Sequence, residues 1–366
     1  MTTTSDILVI GGGIAGISAA AELSADTSVT VLETEDAIGY HSSGRSAAIF
    51  IRNYGNATLR ALNAVAEPVL KEPEGISENS LLSPRGELMF AAEDELEALE
   101  NYLEGAEGME RVSPDEAVQL VPILRRDKIA AAAIERNAQD IDVDRMLQGY
   151  ARLLRKRKGR IITNAPARKI TFSDGNWNVE TPAGDFQAPV LINAAGAWAD
   201  VVADMAGVRK VGLSPMRRSA ILLPSPPDHD ITNWPLFVTA SEQWYAKPEA
   251  GKLFVSPADE DPVEPHDAWP DDMVMAEGLD RFEKAVTVPV TRVEKSWAGL
   301  RSFVADRTPV VGFDGEADRF FWLAGQGGYG MQTAPALASL SAALCLGRSS
   351  ALQPNTSSAL SPKRFL

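Results

Sequence analysis

The segment Asp6-Ile-Leu-Val-Ile-Gly-Gly-Gly-Ile-Ala-Gly16 restricts the fold of this chain more than any other. Ile7 to Ile10 form a short apolar run of the kind that makes a parallel strand buried on both faces. Gly11 permits the tight turn out of that strand, Gly13 lets the backbone approach a pyrophosphate, and Gly16 lets the next helix pack closely on the strand. The helix through Ile17 and Ala19 to Leu23 then directs its N-terminal amides at the phosphates, where its dipole favours negative charge. Ser28 to Glu33 read as the second strand. Glu33, 17 positions beyond Gly16, is placed to accept hydrogen bonds from ribose hydroxyls, and its charge disfavours a 2′-phosphate. Strand, glycine turn, helix and acidic residue together place a dinucleotide at the start of the fold. The pattern alone does not separate FAD from NAD.

Composition narrows the remaining possibilities. A length of 366 residues allows one large domain or two intimately joined ones. A formal charge of −15 argues against nucleic acid as a partner, which requires a basic surface. The single cysteine, Cys345, excludes an intramolecular disulfide and lies in an Ala/Leu-rich stretch that reads as a packed helix. His41, His229 and His266 lack metal-ligand spacing, so no metal site is expected. There is no Gly-x-Ser-x-Gly elbow and no Walker lysine loop. No window approaches the roughly 20 apolar residues of a membrane span, and no signal segment precedes the first strand. The expectation is a cytoplasmic protein, with peripheral membrane contact left open.

Redox-type signals recur along the chain. Residues 57 to 67 and 93 to 103 read as helices. Asp140-Ile-Asp-Val-Asp144 leads into a helix from Arg145 to about Lys158, the acidic residues favouring its N-terminus. Residues 160–163, 167–172 and 177–180 alternate as strands around a turn at 173–176. Ala188 to Gly196 is a further buried strand ending in small residues. Residues 211 to 300 are β-rich, punctuated by prolines, and suggest an antiparallel sheet. Phe320 to Ala324 lead into the loop Gly325-Gln-Gly-Gly-Tyr-Gly330 and a final helix from about Thr333. The expected fold is α/β: a Rossmann-like nucleotide domain assembled from discontinuous segments (1–80, 135–207 and 300–366), with an inserted α+β substrate domain (81–134 and 208–299) containing the antiparallel sheet.

Several longer segments carry a family resemblance. Gly39-Tyr-His-Ser-Ser-Gly-Arg-Ser-Ala-Ala48, Leu81-Leu-Ser-Pro-Arg85, Val121-Pro-Ile-Leu-Arg-Arg-Asp-Lys128, Ile192-Asn-Ala-Ala-Gly-Ala-Trp198, Arg217-Arg-Ser219, Trp297-Ala-Gly-Leu-Arg-Ser-Phe-Val-Ala-Asp306 and Gln326-Gly-Gly-Tyr-Gly330 span nearly the whole chain. In order and approximate spacing they resemble the flavin oxidoreductases of the D-amino acid oxidase and glycine oxidase group, and within it most nearly the bacterial D-arginine dehydrogenases.

The resemblance implies non-covalent FAD. Beside Gly11, Gly13, Gly16 and Gly196, it implies flavin contacts at Ala15, Glu33, Thr34, Ser42, Ser43, Gly44, Arg45, Ser46, Ala47, Ala48, Ala167, Gly327, Gly328, Tyr329, Gly330, Met331 and Gln332. The glycine-rich backbone at 327–330 suits close approach to the flavin ring, and the helix after it directs its positive end there. The resemblance further implies that Arg218 and Arg301 hold a substrate carboxylate, a task that suits the guanidinium fork. Tyr54 and Tyr245 would line the site, Gly328, Tyr329 and Gly330 would face the substrate, and Glu87 would pair with a cationic side chain. The D-arginine dehydrogenases carry histidine where this chain has Ile49, which can neither donate nor accept a hydrogen bond, so a less polar pocket is expected.

The implied reaction is oxidation of a D-amino acid to its imine, with basic side chains favoured and apolar ones open. Hydrolysis then yields a 2-oxo acid and ammonia, and oxygen or a quinone serves as the final electron acceptor. A flavin dehydrogenase for a 2-hydroxy acid or secondary amine, and a flavin-binding protein without turnover, are the competing readings.

Overall fold

The computed structural model describes residues 2–365. Its organising element is a six-stranded sheet in the order Arg160–Ile162, Val29–Leu32, Ile7–Ile10, Val190–Asn193, Phe320–Ala324, Val310–Phe313. The first five strands run parallel, and only Val310–Phe313 is antiparallel to its neighbour. The period-2 alternation of a strand divides its side chains between two cores. Ile7, Val9, Val29, Val31, Ile192, Phe321 and Leu323 pack on one side, against the helices Ile14–Leu23, Val143–Lys156 and Gly330–Cys345. Leu8, Ile10, Leu32, Leu191, Phe320 and Trp322 pack on the other, against Trp177, Val179 and Phe186 of a four-stranded sheet. The runs of apolar residues seen in the sequence are therefore strands buried on both faces.

The opening helix makes this packing close because its buried face is small. Ala19, Ala20 and Ala21 are fully buried, and Gly16 sits against the carbonyl of Gly11. The helix Val143–Lys156 starts at Asp142, whose carboxylate accepts from the Arg145 amide at 3.0 Å. Asp140 instead joins Arg85 Nε (2.7 Å) and Lys247 Nζ (2.8 Å) in an ion-pair cluster.

A second, nine-stranded sheet draws on residues from 87 to 303. Two features depart from the antiparallel sheet expected over 211–300. Leu236–Thr239 pairs in parallel with Glu87–Ala91, which arrive from far upstream. And Asp272–Ala285 is a helix, capped by Asp271, whose carboxylate accepts from the amides of Met273 (3.0 Å) and Val274 (3.2 Å). Met275, Leu279 and Phe282 turn one side of that helix onto the core. Their spacing of four and three residues is a helical signal.

The segment most relevant to the site is the long antiparallel pair of Ser214–Leu223 with Lys295–Phe303. Its register sets Arg218 opposite Gly299 and Met216 opposite Arg301. Residues two apart on a strand share a face, so Arg218 and Arg301 emerge on the same face, diagonal to one another.

Candidate flavin and substrate site

A cavity of about 410 Å³ opens at the carboxyl ends of Ile7–Ile10, Val29–Leu32 and Val190–Asn193 and extends to the arginine-bearing strands. This is where ligands lie in open parallel sheets. Gly11, Gly13, Ala15, Glu33, Thr34, Ser42, Ser43, Arg45, Ser46, Ala47, Ala167 and Gly196 border it at one end. Arg218, Tyr245, Arg301, Gly327, Gly328, Gly330 and Met331 border the other. Residues expected together from distant parts of the sequence thus meet around one hollow. A larger surface groove of about 860 Å³, between Arg52, Glu67, Lys71 and Arg136, touches none of the glycine loops.

The nucleotide end is held by specific hydrogen bonds. The Glu33 carboxylate accepts from the amides of Gly12 at 2.6 Å and Glu35 at 2.8 Å. A Cβ on Gly12 would lie 2.6 Å from that carboxylate oxygen, so the middle glycine of the triplet exists to admit Glu33, a role the sequence pattern did not reveal. Ser43 Oγ accepts from the Ile14 amide at 2.9 Å in the first turn of the opening helix. Arg45 is fastened by Asp267 at 2.5 Å and by the carbonyls of Ala268 and Ala298. His41 also borders the cavity, bonded to Glu35 at 2.9 Å and packed on Trp198.

At the other end Arg301 donates from Nη1 to Tyr54 at 3.4 Å and from Nη2 to Tyr245 at 3.3 Å. Burial works to raise the Tyr245 hydroxyl, but the charges of Arg301 and Arg218 outweigh it and hold the group below the ordinary phenol value. Burial dominates at Tyr54, whose hydroxyl is pushed up. Arg218, only 8% exposed, bonds Glu260 at 2.8 Å through Nη2. Its Nε and Nη1 are buried and have no partner among the described residues, and Gln326 Nε2, on the same cavity wall, is likewise orphaned. Unpaired buried donors are costly, so this wall is built for an acceptor-rich ligand.

Other expected residues stand back from the cavity. Gly16 and Gly44 serve backbone packing, Gly44 donating to the Gly39 carbonyl at 2.8 Å. The Gln332 side chain bonds Asn63 at 2.8 Å, tying the helix Gly330–Cys345 to its neighbour. Tyr329 packs on Tyr54 with ring centroids 4.9 Å apart. Ala48 takes a left-handed φ of 42° and leads into Ile49, which packs in the apolar cluster containing Tyr245 and Phe254. Glu87 is fully covered, accepting from the Tyr102 hydroxyl at 3.1 Å, and does not border the hollow. Sequence reading missed Glu260, Gln326 and Asp259. Gln326 had a usable signal, since it lies inside the glycine loop Gly325 to Gly330. The two acids had none, because their roles arise from strand pairing.

The family model for FAD-dependent oxidoreductases (DAO) matches residues 6–344. The chain belongs to the DAO family of FAD-dependent oxidoreductases. Among curated proteins it is similar to rat mitochondrial dimethylglycine dehydrogenase, at 34% identity over 100 residues, which covers 26% of this chain and 11% of that protein. The matched region is therefore a small fraction of that relative's length. Among solved structures it is similar to L-proline dehydrogenase from P. horikoshii (TM-score 0.85, 21% identity, covering 100% of this chain and 98% of that one). It is also similar to glycine oxidase from Geobacillus kaustophilus (TM-score 0.83, 20% identity, covering 100% of both chains).

DAO-family proteins are FAD-dependent, and the cofactor of this chain is FAD. The residues present fit it. The glycine turn and Glu33 suit the nucleotide half. The helix Gly330–Cys345 begins at the cavity with no side-chain cap, leaving its positive end available to the ring. Among the described residues, no helix is long and apolar enough to cross a membrane.

Proposed function

We propose that this protein oxidises an α-amino acid, of D configuration and preferentially with a basic side chain, to the imino acid, which water converts to a 2-oxo acid and ammonia. The reading is carried by the orphaned Nε and Nη1 of Arg218, buried on the wall that Arg301 shares. Two guanidinium groups on one face match a carboxylate, and the Gly327–Gly330 loop, which would hold the flavin ring, lines the same cavity. Arg218 and Arg301 would orient the acid, with Tyr54 and Tyr245 holding the Arg301 fork in place. Bound FAD supplies the two-electron acceptor for the α-C–H bond. The amine loses its proton before the C–H bond is broken, so turnover rises with pH to a plateau. Oxygen or a quinone then takes the electrons.

The apolar side chains of Ala47 and Phe254 on the cavity wall, backed by Ile49, favour a second reading in which the amine is secondary. Its support is the similarity to a human mitochondrial protein named sarcosine dehydrogenase, at 25% identity over 362 residues, since sarcosine is a secondary amine. Anaerobic mixing of the FAD-loaded protein with paired D- and L-amino acids, N-methylated amino acids and 2-hydroxy acids separates these readings. Loss of the flavin absorbance with D-Arg or D-Lys is the expected result. Bleaching only by hydroxy acids, or by none of the panel, refutes the proposal.

A further inference from the structure

Arg218 is held by a carboxylate that belongs to the chain itself. Glu260 Oε1 accepts from Arg218 Nη2 at 2.8 Å and from Arg307 Nη2 at 2.9 Å, while Oε2 accepts from Arg307 Nη1 at 3.1 Å. Glu260 is placed there by its neighbour. Asp259 accepts from the Ser219 amide at 2.6 Å, the Ser219 hydroxyl at 2.9 Å and Arg217 Nε at 3.3 Å, pinning the segment to the strand that carries Arg218. Arg307 in turn lies over the Phe303 ring at 3.8 Å. One acid therefore neutralises part of a three-arginine field made by Arg218, Arg301 and Arg307.

We propose that Glu260 is an intramolecular competitor for the carboxylate that Arg218 receives, and so sets the affinity of the site for anionic ligands. This rests on the reading of Arg218 given above. A carboxylate arriving at Nε or at Nη1 meets a guanidinium whose charge is already shared with Glu260, and two carboxylates on one guanidinium repel each other. Removing the Glu260 charge while keeping an acceptor in its place strengthens the pull on the ligand.

The test is titration of the FAD-loaded protein with benzoate and with acetate, followed by the flavin absorbance. Glu260→Gln is expected to bind both about tenfold more tightly and to lower KM. Unchanged or weaker binding in Glu260→Gln overturns the inference, because a purely positioning acid would loosen the site when neutralised. Arg218→Met, measured in parallel, separates the two levels. If it leaves benzoate affinity untouched, the assignment of Arg218 fails and the competitor role fails with it. If it weakens benzoate while Glu260→Gln does not tighten it, only the competitor role falls. The tightening should persist against an Arg307→Gln background. If it vanishes there, the freed Arg307 rather than Arg218 is responsible, and the inference is again overturned.

Discussion

Glu87 and Glu135 stand directly opposite one another on adjacent antiparallel strands, and both carboxyl groups are buried. Like charges so placed repel. The structure resolves the conflict unequally. Glu135 accepts from the Arg52 amide at 2.8 Å and from Asn53 Nδ2 at 2.6 Å, which oppose the rise that burial imposes on it. Glu87 has only the Tyr102 hydroxyl, and burial followed by the Glu135 charge pushes it up to about 8. At neutral pH Glu87 therefore holds its proton.

This arrangement makes stability depend on pH. The folded value near 8 lies above the ordinary carboxyl value of 4.5. The unfolded chain thus releases the Glu87 proton first, and stability falls from about pH 4.5 until the group ionises in the folded state near 8. Glu87→Gln, which keeps an acceptor for Tyr102, should match the parent at pH 4 and exceed it at pH 8 by roughly 4 kcal/mol in urea unfolding. A variant that is less stable at pH 8 contradicts this account of Glu87.

The same titration should leave substrate choice untouched. Glu87 is fully covered and does not border the cavity. The ratio of kcat/KM for D-Arg to that for D-Leu should therefore stay flat as pH rises through about 8, in the parent and in Glu87→Gln alike. Taking the ratio cancels the deprotonation of the substrate amine, which both share. A ratio that climbs in the parent alone would bring Glu87 back into recognition of the side chain.

Gly328 sets the position of Arg301. A Cβ there would lie 3.0 Å from both Cζ and Nη1 of the guanidinium. Gly328→Ala should push that flexible end aside and raise KM about tenfold, while FAD content and thermal stability stay near those of the parent. Arg301→Met should cost about a hundredfold or more in kcat/KM. Steady-state kinetics with flavin quantitation distinguishes these outcomes from simple loss of cofactor.

Glu33 should matter for FAD even though it makes no contribution to the chemistry. Its carboxylate fixes the Gly12 and Glu35 amides and faces the nucleotide end of the cavity. Glu33→Leu should weaken FAD binding to the apoprotein about tenfold or more, read by quenching of flavin fluorescence. Unaltered affinity would show that the acid only shapes the turn.

Burial pushes the Cys345 thiol up to about 12, so little thiolate exists near neutrality. Alkylation at pH 8 should be slow in the native protein and fast after unfolding. Rapid native labelling would mean that the end of the helix Gly330–Cys345 is less closely packed than described.

Much of the nucleotide half is legible in the sequence because its signals are local. The strand, glycine turn and helix at residues 7–23 follow from apolar runs and glycine spacing, and so do Phe320–Ala324 and its loop. The substrate wall is less so. The helix Asp272–Ala285 was hidden among prolines, and the parallel pairing of Leu236–Thr239 with Glu87–Ala91 joins segments about 150 residues apart. The family motifs indicated Arg218 and Arg301. They carried nothing about Glu260, because no spacing along the chain encodes which acid a strand register delivers to an arginine.

By itself the sequence determined where a dinucleotide is cradled, since a glycine turn between a buried strand and a helix depends only on residues close in the chain. The tertiary structure decided which face Arg218 and Arg301 share, which donors stay unpaired, and that Glu87 faces Glu135 under Tyr102. Those relations depend on strand register, and a shift of one residue would turn every such side chain to the opposite face.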